Sequence, residues 1–233
     1  MIEIEQLRFA WPGADHDVVA IDRLSFADAS TTFLHGPSGC GKSTLLGLLA
    51  GVLVPRAGHV SLRGTDWATL SSAGRDAFRA DHVGYIFQQF NLLPYLSVID
   101  NVLLPCRFSA VRRARAVGQH GTLRAEAESL LQRVGLPSAL WARPAAQVSV
   151  GQQQRVAAAR ALIGKPEVVI ADEPTSSLDA ALRDAFMDLL LGACREAGST
   201  LVFVSHDERL AARFDTRVSL AAINQATQPE LAA

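Results

Sequence analysis

Hydrophobic and polar positions repeat with two different periods along the chain, and these periods predict its elements. Residues 2–7 place Ile2, Ile4 and Leu7 between polar neighbours, which predicts a half-buried strand. Short apolar runs predict further strands, and longer Leu- and Ala-rich stretches predict helices. The strand runs are 18–26, 31–35, 59–62, 83–87, 168–171 and 200–204, and the helical stretches include 43–51 and 180–195. Because strands and helices alternate, we expect a mainly parallel α/β sheet with right-handed crossovers.

The middle of the chain has another pattern. Residues 90–162 are mostly helical in period and contain no strong strand run. Thr122 is a candidate N-cap for a helix that ends at Gly135. A basic run lies nearby, and we interpret it as a solvated face rather than a site for an acidic partner. This run comprises Arg107, Arg112, Arg113 and Arg115.

Composition narrows the class of protein. The chain has 233 residues and a mass of 24.9 kDa, with 49% apolar and 19% charged residues, so we expect one large domain with a core rather than disorder. Its net charge of -1 disfavours a protein that binds nucleic acid mainly through phosphates, and we predict no nucleic-acid partner. The three cysteines are widely spaced without a CxxC pair, which argues against a zinc ribbon or a disulfide framework.

No segment has the pattern of a membrane span. The longest apolar stretch, residues 45–54, is well short of the roughly 20 residues that a spanning helix needs. The N-terminus lacks the basic and apolar regions of a signal peptide. We therefore predict a cytoplasmic chain that reaches a membrane only through a partner.

The sharpest motif is Gly36-Pro-Ser-Gly-Cys-Gly-Lys42-Ser43, which fits GxxxxGK[ST] and lies between a predicted strand and a predicted helix. Glycines let the backbone curl so that several N–H groups point at phosphate, and the helix adds its positive N-terminal end. Lys42 can reach the β- and γ-phosphates of a nucleotide, and the hydroxyl of Ser43 can bind Mg²⁺. The motif therefore predicts a nucleotide-binding loop.

A second motif is the pair of carboxylates that follows the apolar run 168–171. Strand ends in parallel sheets open onto the ligand crevice, which would place Asp172 and Glu173 near the phosphates. Asp172 suits a contact to Mg²⁺, and Glu173 can polarise a water molecule for attack on the γ-phosphate. The alternative is a strand that simply ends at a charged turn.

The third motif opens a helix. Residues 148–155 have the sequence Val-Ser-Val-Gly-Gln-Gln-Gln-Arg, which resembles the LSGGQ signature of the ATPase subunits of ABC transporters. With the two motifs above, the resemblance extends over residues 2–214, and the motifs occur in the family's order. It implies that the chain binds and hydrolyses ATP with Mg²⁺.

The resemblance also implies roles for individual residues. Glu173 matches the catalytic base, and His206 and Gln88 match two further residues of the catalytic site. Mg²⁺ ligands are implied at Ser43, Gln88 and Asp172. Trp11 falls where an aromatic side chain stacks on adenine, with Phe9 as the alternative. Nucleotide contacts are implied for Trp11, Gly36, Pro37, Ser38, Gly39, Cys40, Gly41, Lys42, Ser43, Thr44, Ser149, Gly151, Gln152 and Asp179, the last within a loop, 176–179, that crosses to a second subunit.

The architecture that the resemblance implies is an α/β fold: a P-loop NTPase core with a mainly parallel sheet, an N-terminal antiparallel β subdomain and an inserted α-helical subdomain. We expect the nucleotide-binding core at residues 1–88 and 163–223, the helical subdomain with the signature at 89–162, and a C-terminal tail without a pattern at 224–233. Two subunits would meet head to tail, most simply as a homodimer, and dock on integral membrane subunits at the inner face of the cell membrane.

The branch of the family is indicated by residues 87–105, which resemble the lipoprotein-release and macrolide-efflux branch. The ATPase of an ABC uptake system is the main alternative. A soluble ABC protein of DNA repair or translation is less favoured, because the chain has neither a long coiled-coil insertion nor a second cassette. A small-molecule P-loop kinase and a binding-only module are further alternatives, and the signature, Glu173 and His206 argue against them.

Two residues give expectations of their own. Val150 stands where the family has glycine, and a β-branched residue resists a positive φ, so either this position is not left-handed or the signature loop is altered. Cys40 lies inside the phosphate-binding motif, where nearby N–H groups and Lys42 favour negative charge. We therefore expect a maleimide to modify Cys40 faster than Cys106 or Cys194.

Overall fold

The computed structural model describes residues 1–176 and 178–226. The strands are β1 (Ile2–Phe9), β2 (Val19–Phe26), β3 (Thr31–His35), β4 (Ala57–Leu62), β5 (Thr65–Asp66), β6 (Val83–Ile86), β7 (Val168–Asp172), β8 (Thr200–Val204) and β9 (Thr216–Ser219). The helices are α1 (Lys42–Leu49), α2 (Ser72–His82), α3 (Val98–Leu103), α4 (Pro105–Phe108), α5 (Ala110–His120), α6 (Leu123–Arg133), α7 (Val150–Leu162), α8 (Ala180–Ala197) and α9 (Leu220–Ile223).

The strands form two sheets. The first is antiparallel with the order β2-β1-β4-β5, and the second has the order β6-β7-β8-β3-β9 with every neighbouring pair parallel. The helices from α3 to α7 lie between β6 and β7 in sequence. The predicted fold class is therefore confirmed: a parallel α/β core, an N-terminal antiparallel sheet and an inserted helical region.

The parallel sheet separates two apolar cores. Side chains of successive strand residues point to opposite faces, so Phe33 and Phe203 pack with the helical region, whereas Leu34 and Val204 pack with α1 and the antiparallel sheet. All four side chains are fully buried. Because β7 and β8 are covered on both faces, they consist of continuous apolar runs rather than an alternating pattern.

The basic run near α5 is only partly a solvated face, and that interpretation is wrong for Arg112. This residue is 2% exposed, and burial lowers the pKa of its guanidinium to about 10. Its guanidinium donates to the carbonyl oxygens of Val83, Arg160, Ala161 and Ile163. The last carbonyls of a helix have no partner within it, so Arg112 caps the C-terminal end of α7 from α5.

The final elements were not predicted by the apolar pattern. Strand β9 pairs with β3 at the sheet edge, and α9 follows at once. Asn224, placed by the sequence in a tail without a pattern, makes hydrogen bonds to the region of β2. Residues 227–233 of that predicted tail lie outside the described residues.

Candidate active site

A polar cavity of about 420 Å³ opens at the carboxyl ends of β3 and β7. It brings together most of the residues that the motifs and the resemblance single out. Its lining consists of Trp11, Val18, Ser38, Gly39, Gly41, Lys42, Ser43, Thr44, Gln88, Asp172 and Glu173. The position agrees with the general rule that parallel α/β sheets bind ligands beyond the carboxyl ends of their strands.

The glycine-rich loop connects β3 to α1 along one wall of this cavity. Gly39 and Gly41 have φ of 82° and 97°, a conformation that costs glycine little. Gly41 is also the N-cap of α1, and no side chain caps this helix. The ammonium of Lys42 donates to the carbonyl oxygens of Gly36 and Pro37, at 2.8 and 2.9 Å. The positive end of α1 and a lysine thus meet at one place.

Cys40 faces the interior of this loop. Its side chain is 1% exposed, and a Cβ atom added to Gly36 would lie 2.7 Å from its Sγ. Cys106 and Cys194 are buried as well. The expected preferential attack of a maleimide on Cys40 stays a prediction with weaker support, because all three thiols are buried and reagent access as well as local charge decides thiol reactivity.

Asp172 and Glu173 also line the cavity, and Asp172 lies beside Ser43 and Lys42. Burial and the neighbouring carboxylate of Glu173 raise the pKa of Asp172, while Lys42 and the hydroxyl of Ser43 act to lower it. Glu173 has a φ of 44°, which is rare for a residue with a side chain and typical of functional sites. Its N–H donates to the carbonyl of Val204 at 3.0 Å, which anchors this conformation to β8.

His206 follows β8 and reaches Glu173. Nδ1 of His206 lies 3.1 Å from Oε2 of Glu173. His206 lines a neighbouring cavity of about 240 Å³ together with Glu173, Arg183 and Asp207, and the last two form an ion pair at 3.0 Å. Glu173 therefore lines both cavities, one of them together with His206 and the other together with the glycine-rich loop.

Two aromatic residues near the N-terminus, Phe9 and Trp11, have different surroundings. Phe9 is buried, whereas Trp11 is exposed and lines the cavity beside Val18. The two rings meet edge to face with centroids 5.2 Å apart. Of the two candidates for adenine stacking, only Trp11 presents its ring to the cavity.

The signature residues lie on a different surface. Ser149, Val150, Gly151 and Gln152 line a cavity of about 530 Å³, together with Leu178 and Asp179. Ser149 caps α7: its hydroxyl accepts from the N–H of Gln152, and Oε1 of Gln152 accepts from the N–H of Ser149 at 2.9 Å. Asp179 caps α8 by accepting from the N–H of Leu182 at 2.9 Å. Ser177 of the predicted crossing loop lies outside the described residues.

Val150 resolves the question that the sequence left open. It is the first residue of α7 and has no positive φ. Its side chain is 51% exposed, so the β-branched residue fits the helix and projects into the signature cavity. Of the two possibilities, the structure therefore supports a position that is not left-handed.

Arg160 is a residue that the sequence motifs missed. From the last turn of α7, its guanidinium donates to the carbonyl oxygens of Phe90 and Asn91, at 2.5 and 2.7 Å. These two residues have φ of 59° and 49° and follow Gln88 closely. Arg160 thus ties the signature helix to the segment that carries Gln88. An arginine within an alanine-rich helical stretch was the only signal in the sequence.

An apolar groove of about 750 Å³ lies near the polar cavity. Phe87 lines the groove, whereas the next residue, Gln88, lines the cavity. Phe108, 77% exposed, and Val52 also face the groove. The guanidinium-bearing residues Arg112 and Arg160 contribute to its floor. One segment of chain therefore connects the two concave surfaces.

Comparison with known proteins defines the class. The family model described as "ABC transporter" matches residues 21–176, and the chain belongs to this family. Among solved structures, the dimeric post-hydrolysis state of the ATP-binding cassette MJ0796, bound to ADP and Pi, has a TM-score of 0.80 and 29% identity, and 94% of each chain is covered. These matches confirm the predicted family and fold.

Individual relatives are similar over nearly their whole length. The uncharacterized ABC transporter ATP-binding protein YbbA of Escherichia coli (strain K12) is 40% identical over 217 residues, which cover 92% of each chain. The lipoprotein-releasing system ATP-binding protein LolD of Novosphingobium aromaticivorans is 40% identical over 225 residues, covering 94% of this chain and 96% of the relative. The chain is thus an ATP-binding, ATP-hydrolysing subunit of a transporter. None of its described helices is both long and apolar enough to cross a membrane.

Proposed function

We propose that the chain hydrolyses ATP as a head-to-tail homodimer and that this reaction drives integral membrane subunits docked in the apolar groove. The observation that carries the proposal is the division of the site between two surfaces. Residues of the phosphate-binding loop line one cavity, and the signature residues line another. Two chains related by a two-fold axis could bring the second surface of each against the first surface of the other.

Within one chain, the cavity lining fits a nucleotide triphosphate. Lys42 would exchange its two loop carbonyls for the β- and γ-phosphates, and Trp11 would stack on the base. The uncapped N-terminal amides of α1 would donate to the phosphate oxygens. Every contact in this account comes from a residue that already faces the cavity.

The same cavity fits Mg²⁺. Ser43, Gln88 and Asp172 present a hydroxyl, an amide oxygen and a carboxylate, which are the hard oxygen donors that Mg²⁺ prefers. Mg²⁺ is usually held by one or two protein oxygens together with substrate phosphates and water, so these three side chains would share the ion with the nucleotide. When bound, the ion would neutralise charge on the β- and γ-phosphate oxygens.

Glu173 would act as the general base. Its carboxylate would accept a proton from a water molecule as the water oxygen bonds to the γ-phosphorus and the bond to the bridging oxygen breaks. His206, at 3.1 Å, would hold the carboxylate in place. The left-handed backbone of Glu173 keeps the side chain in the lining of both cavities, where both contacts are possible.

The partner surface follows from the groove. An apolar groove that exposes Phe108 and Val52 is a typical protein-binding surface. A helix from a membrane subunit would fill it, and the adjacent positions of Phe87 and Gln88 would transmit its position to the nucleotide cavity. The chain would then work at the inner face of the cell membrane.

The lipoprotein-release branch is the membrane system that we propose. Its support is the sequence of residues 87–105 and the 40% identity to a relative named as a lipoprotein-releasing system ATP-binding protein. An uptake system and a soluble, non-transport ATPase are the other outcomes. Co-purification from detergent-extracted membranes, followed by identification of the associated integral subunit, distinguishes these outcomes.

A groove variant tests the docking. We expect Phe108→Ser to abolish co-purification of the membrane subunit while the purified chain still hydrolyses ATP. Tyr95→Ser is the matched control, because Tyr95 is 74% exposed and does not line the groove. Equal recovery of the membrane subunit with both variants would remove the groove from the proposal.

A further inference from the structure

Asn224 uses its entire side-chain amide in hydrogen bonds. Oδ1 accepts from the N–H groups of Ala20 and Ala226, at 2.7 and 3.1 Å. Nδ2 donates to the carbonyl oxygens of Val18 and Cys40, at 2.9 and 3.2 Å. An amide side chain has two donor hydrogens and two acceptor positions, so each is satisfied. One residue near the end of the chain therefore joins the region of β2 to the phosphate-binding loop.

The contact falls where the loop becomes helix α1. A Cβ atom added to Gly41 would lie 3.2 Å from the carbonyl oxygen of Val18, 3.2 Å from Cγ2 of Val19 and 3.6 Å from Nδ2 of Asn224. Val18, Val19 and Asn224 therefore leave little room for a side chain at Gly41. Glycine adopts a φ of 97° at little cost but has many other conformations open to it, so the neighbours of Gly41 help to select this one.

The hydrogen bond to Cys40 fixes a peptide plane. In a planar trans peptide, the carbonyl of one residue and the N–H of the next point in opposite directions. Asn224 draws the carbonyl of Cys40 toward β2. The N–H of Gly41 then points away from the carbonyl of Cys40 and from Asn224, and Gly41 itself lines the cavity.

We propose that Asn224 is a positioning residue for the phosphate-binding loop: by holding the Cys40–Gly41 peptide, it presents the N–H of Gly41 to a nucleotide phosphate. The inference rests on the proposed role of residues 36–44 in binding phosphate. Asparagine suits the position because its neutral amide both donates and accepts. A carboxylate of the same shape would lose both donors and face two carbonyl oxygens.

The adjacent residue supplies a matched control. Gln225 belongs to the same segment, and its N–H donates to the carbonyl of Ala20. Its side chain donates to Oδ2 of Asp22 at 2.9 Å, on the outer side of β2, and does not reach the loop. Gln225→Ala therefore perturbs the attachment of the C-terminal segment without touching the Cys40–Gly41 peptide.

The test measures ADP affinity of the full chain by calorimetry and the steady-state kinetics of ATP hydrolysis. We expect Asn224→Ala to raise the Kd for ADP and the KM for ATP about tenfold, while kcat at saturating ATP changes less than about threefold. Asn224→Asp, which keeps the shape and loses the donors, should raise both constants at least as much. Gln225→Ala should leave both within about twofold of the wild type. A residue that serves only the stability of the fold would lower the melting temperature without moving KM.

The outcomes separate this inference from the proposed function. Normal ADP binding by the wild type, with equal Kd values for Asn224→Ala and Gln225→Ala, would overturn the role of Asn224 alone. Absence of ADP binding by the wild type would overturn the phosphate-binding loop itself and this inference with it. If Asn224→Ala does not fold, Asn224→Asp carries the same comparison with Gln225→Ala.

Discussion

Helices α1 and α7 both begin at a surface cavity, but their first turns are completed in opposite ways. The N-terminus of α1 is preceded by Gly41, and no side chain among the described residues caps it. The N-terminus of α7 is closed by Ser149 and Gln152, which bond to each other's backbone N–H groups. The first end is therefore open to a phosphate within one chain. At the second end, the hydrogen bonds between Ser149 and Gln152 must break before these groups can bind another molecule.

This difference indicates that α1 serves nucleotide binding and that α7 serves dimerisation. An open helix end with a lysine at its first position binds an anion without competition from its own side chains. A capped end contributes to the stability of the isolated chain and offers its hydroxyl and amide groups only after rearrangement. Substitutions at the start of α1 should therefore change nucleotide affinity, and substitutions at the start of α7 should change nucleotide-dependent dimerisation.

The largest effect should come from Glu173→Gln, which leaves both helix ends intact and removes the base. We expect hydrolysis to fall by ~10²–10⁴-fold, because the amide cannot accept the proton of the attacking water. ATP should still bind and should hold two chains together, which gel filtration would show as a dimer. Glu208→Gln is the control, because Glu208 is exposed and bonds to Arg217. Turnover near the wild-type rate would remove Glu173 from the base role.

Lys42→Ala tests the open end of α1. The charge-assisted bonds of Lys42 to phosphate are worth about 1.5–3 kcal/mol, so we expect ATP affinity of the single chain to fall by roughly 10–10²-fold. Equilibrium binding of a fluorescent ATP analogue would measure this change. Lys165→Ala is the control, since Lys165 does not line the cavity. Similar affinities for the two variants would contradict the assignment of nucleotide binding to α1.

Ser149→Ala tests the capped end of α7. Loss of this N-cap should lower the free energy of unfolding by about 1 kcal/mol, and ATP-dependent dimerisation should weaken while the single chain binds ATP normally. Ser71→Ala is a matched control: Ser71 caps the exposed start of α2 by accepting from the N–H of Gly74 at 3.1 Å. Both variants should lose similar stability in urea, but only Ser149→Ala should change dimerisation. Equal dimerisation of the two variants would show that Ser149 does not contact the ATP bound by the partner chain.

Val150→Gly should have the smallest effect. Because Val150 is already helical and exposed, glycine relieves no strain, and it should lower stability by about 0.5–1 kcal/mol or less through its greater freedom in the unfolded chain. We expect the ATPase rate to change less than about twofold, the scale of an exposed substitution. A clear rise in rate or in dimer affinity would show that the valine side chain obstructs the surface that α7 presents to its partner.

The sequence predicted those parts of the site that short motifs encode. The loop at residues 36–43 and the carboxylates at the end of β7 follow directly from the strand and helix around them. Their function depends on backbone N–H groups and a few side chains that are consecutive in the chain. Local pattern was therefore sufficient to find them.

The anchoring residues could not be found in this way. Arg112, Arg160 and Asn224 donate to backbone carbonyls that are 51, 69 and 184 residues away. Because every residue has a backbone carbonyl, the sequence does not indicate which carbonyl will accept the hydrogen bond. Only the folded chain shows which carbonyl lies near the donor. The basic run was misjudged for this reason. Arginine is usually found at the surface, but Arg112 is buried and caps the end of a helix.

The bond from Asn224 to Cys40 has a consequence for the order in which the protein is made. The two residues are separated by 184 positions, which a ribosome translating 5–20 residues per second covers in roughly 10 to 40 s. During this interval the growing chain has its phosphate-binding residues but not the residue that holds their backbone in place. A nascent chain should therefore retain nucleotide poorly until residue 224 has been synthesised and has folded against the loop.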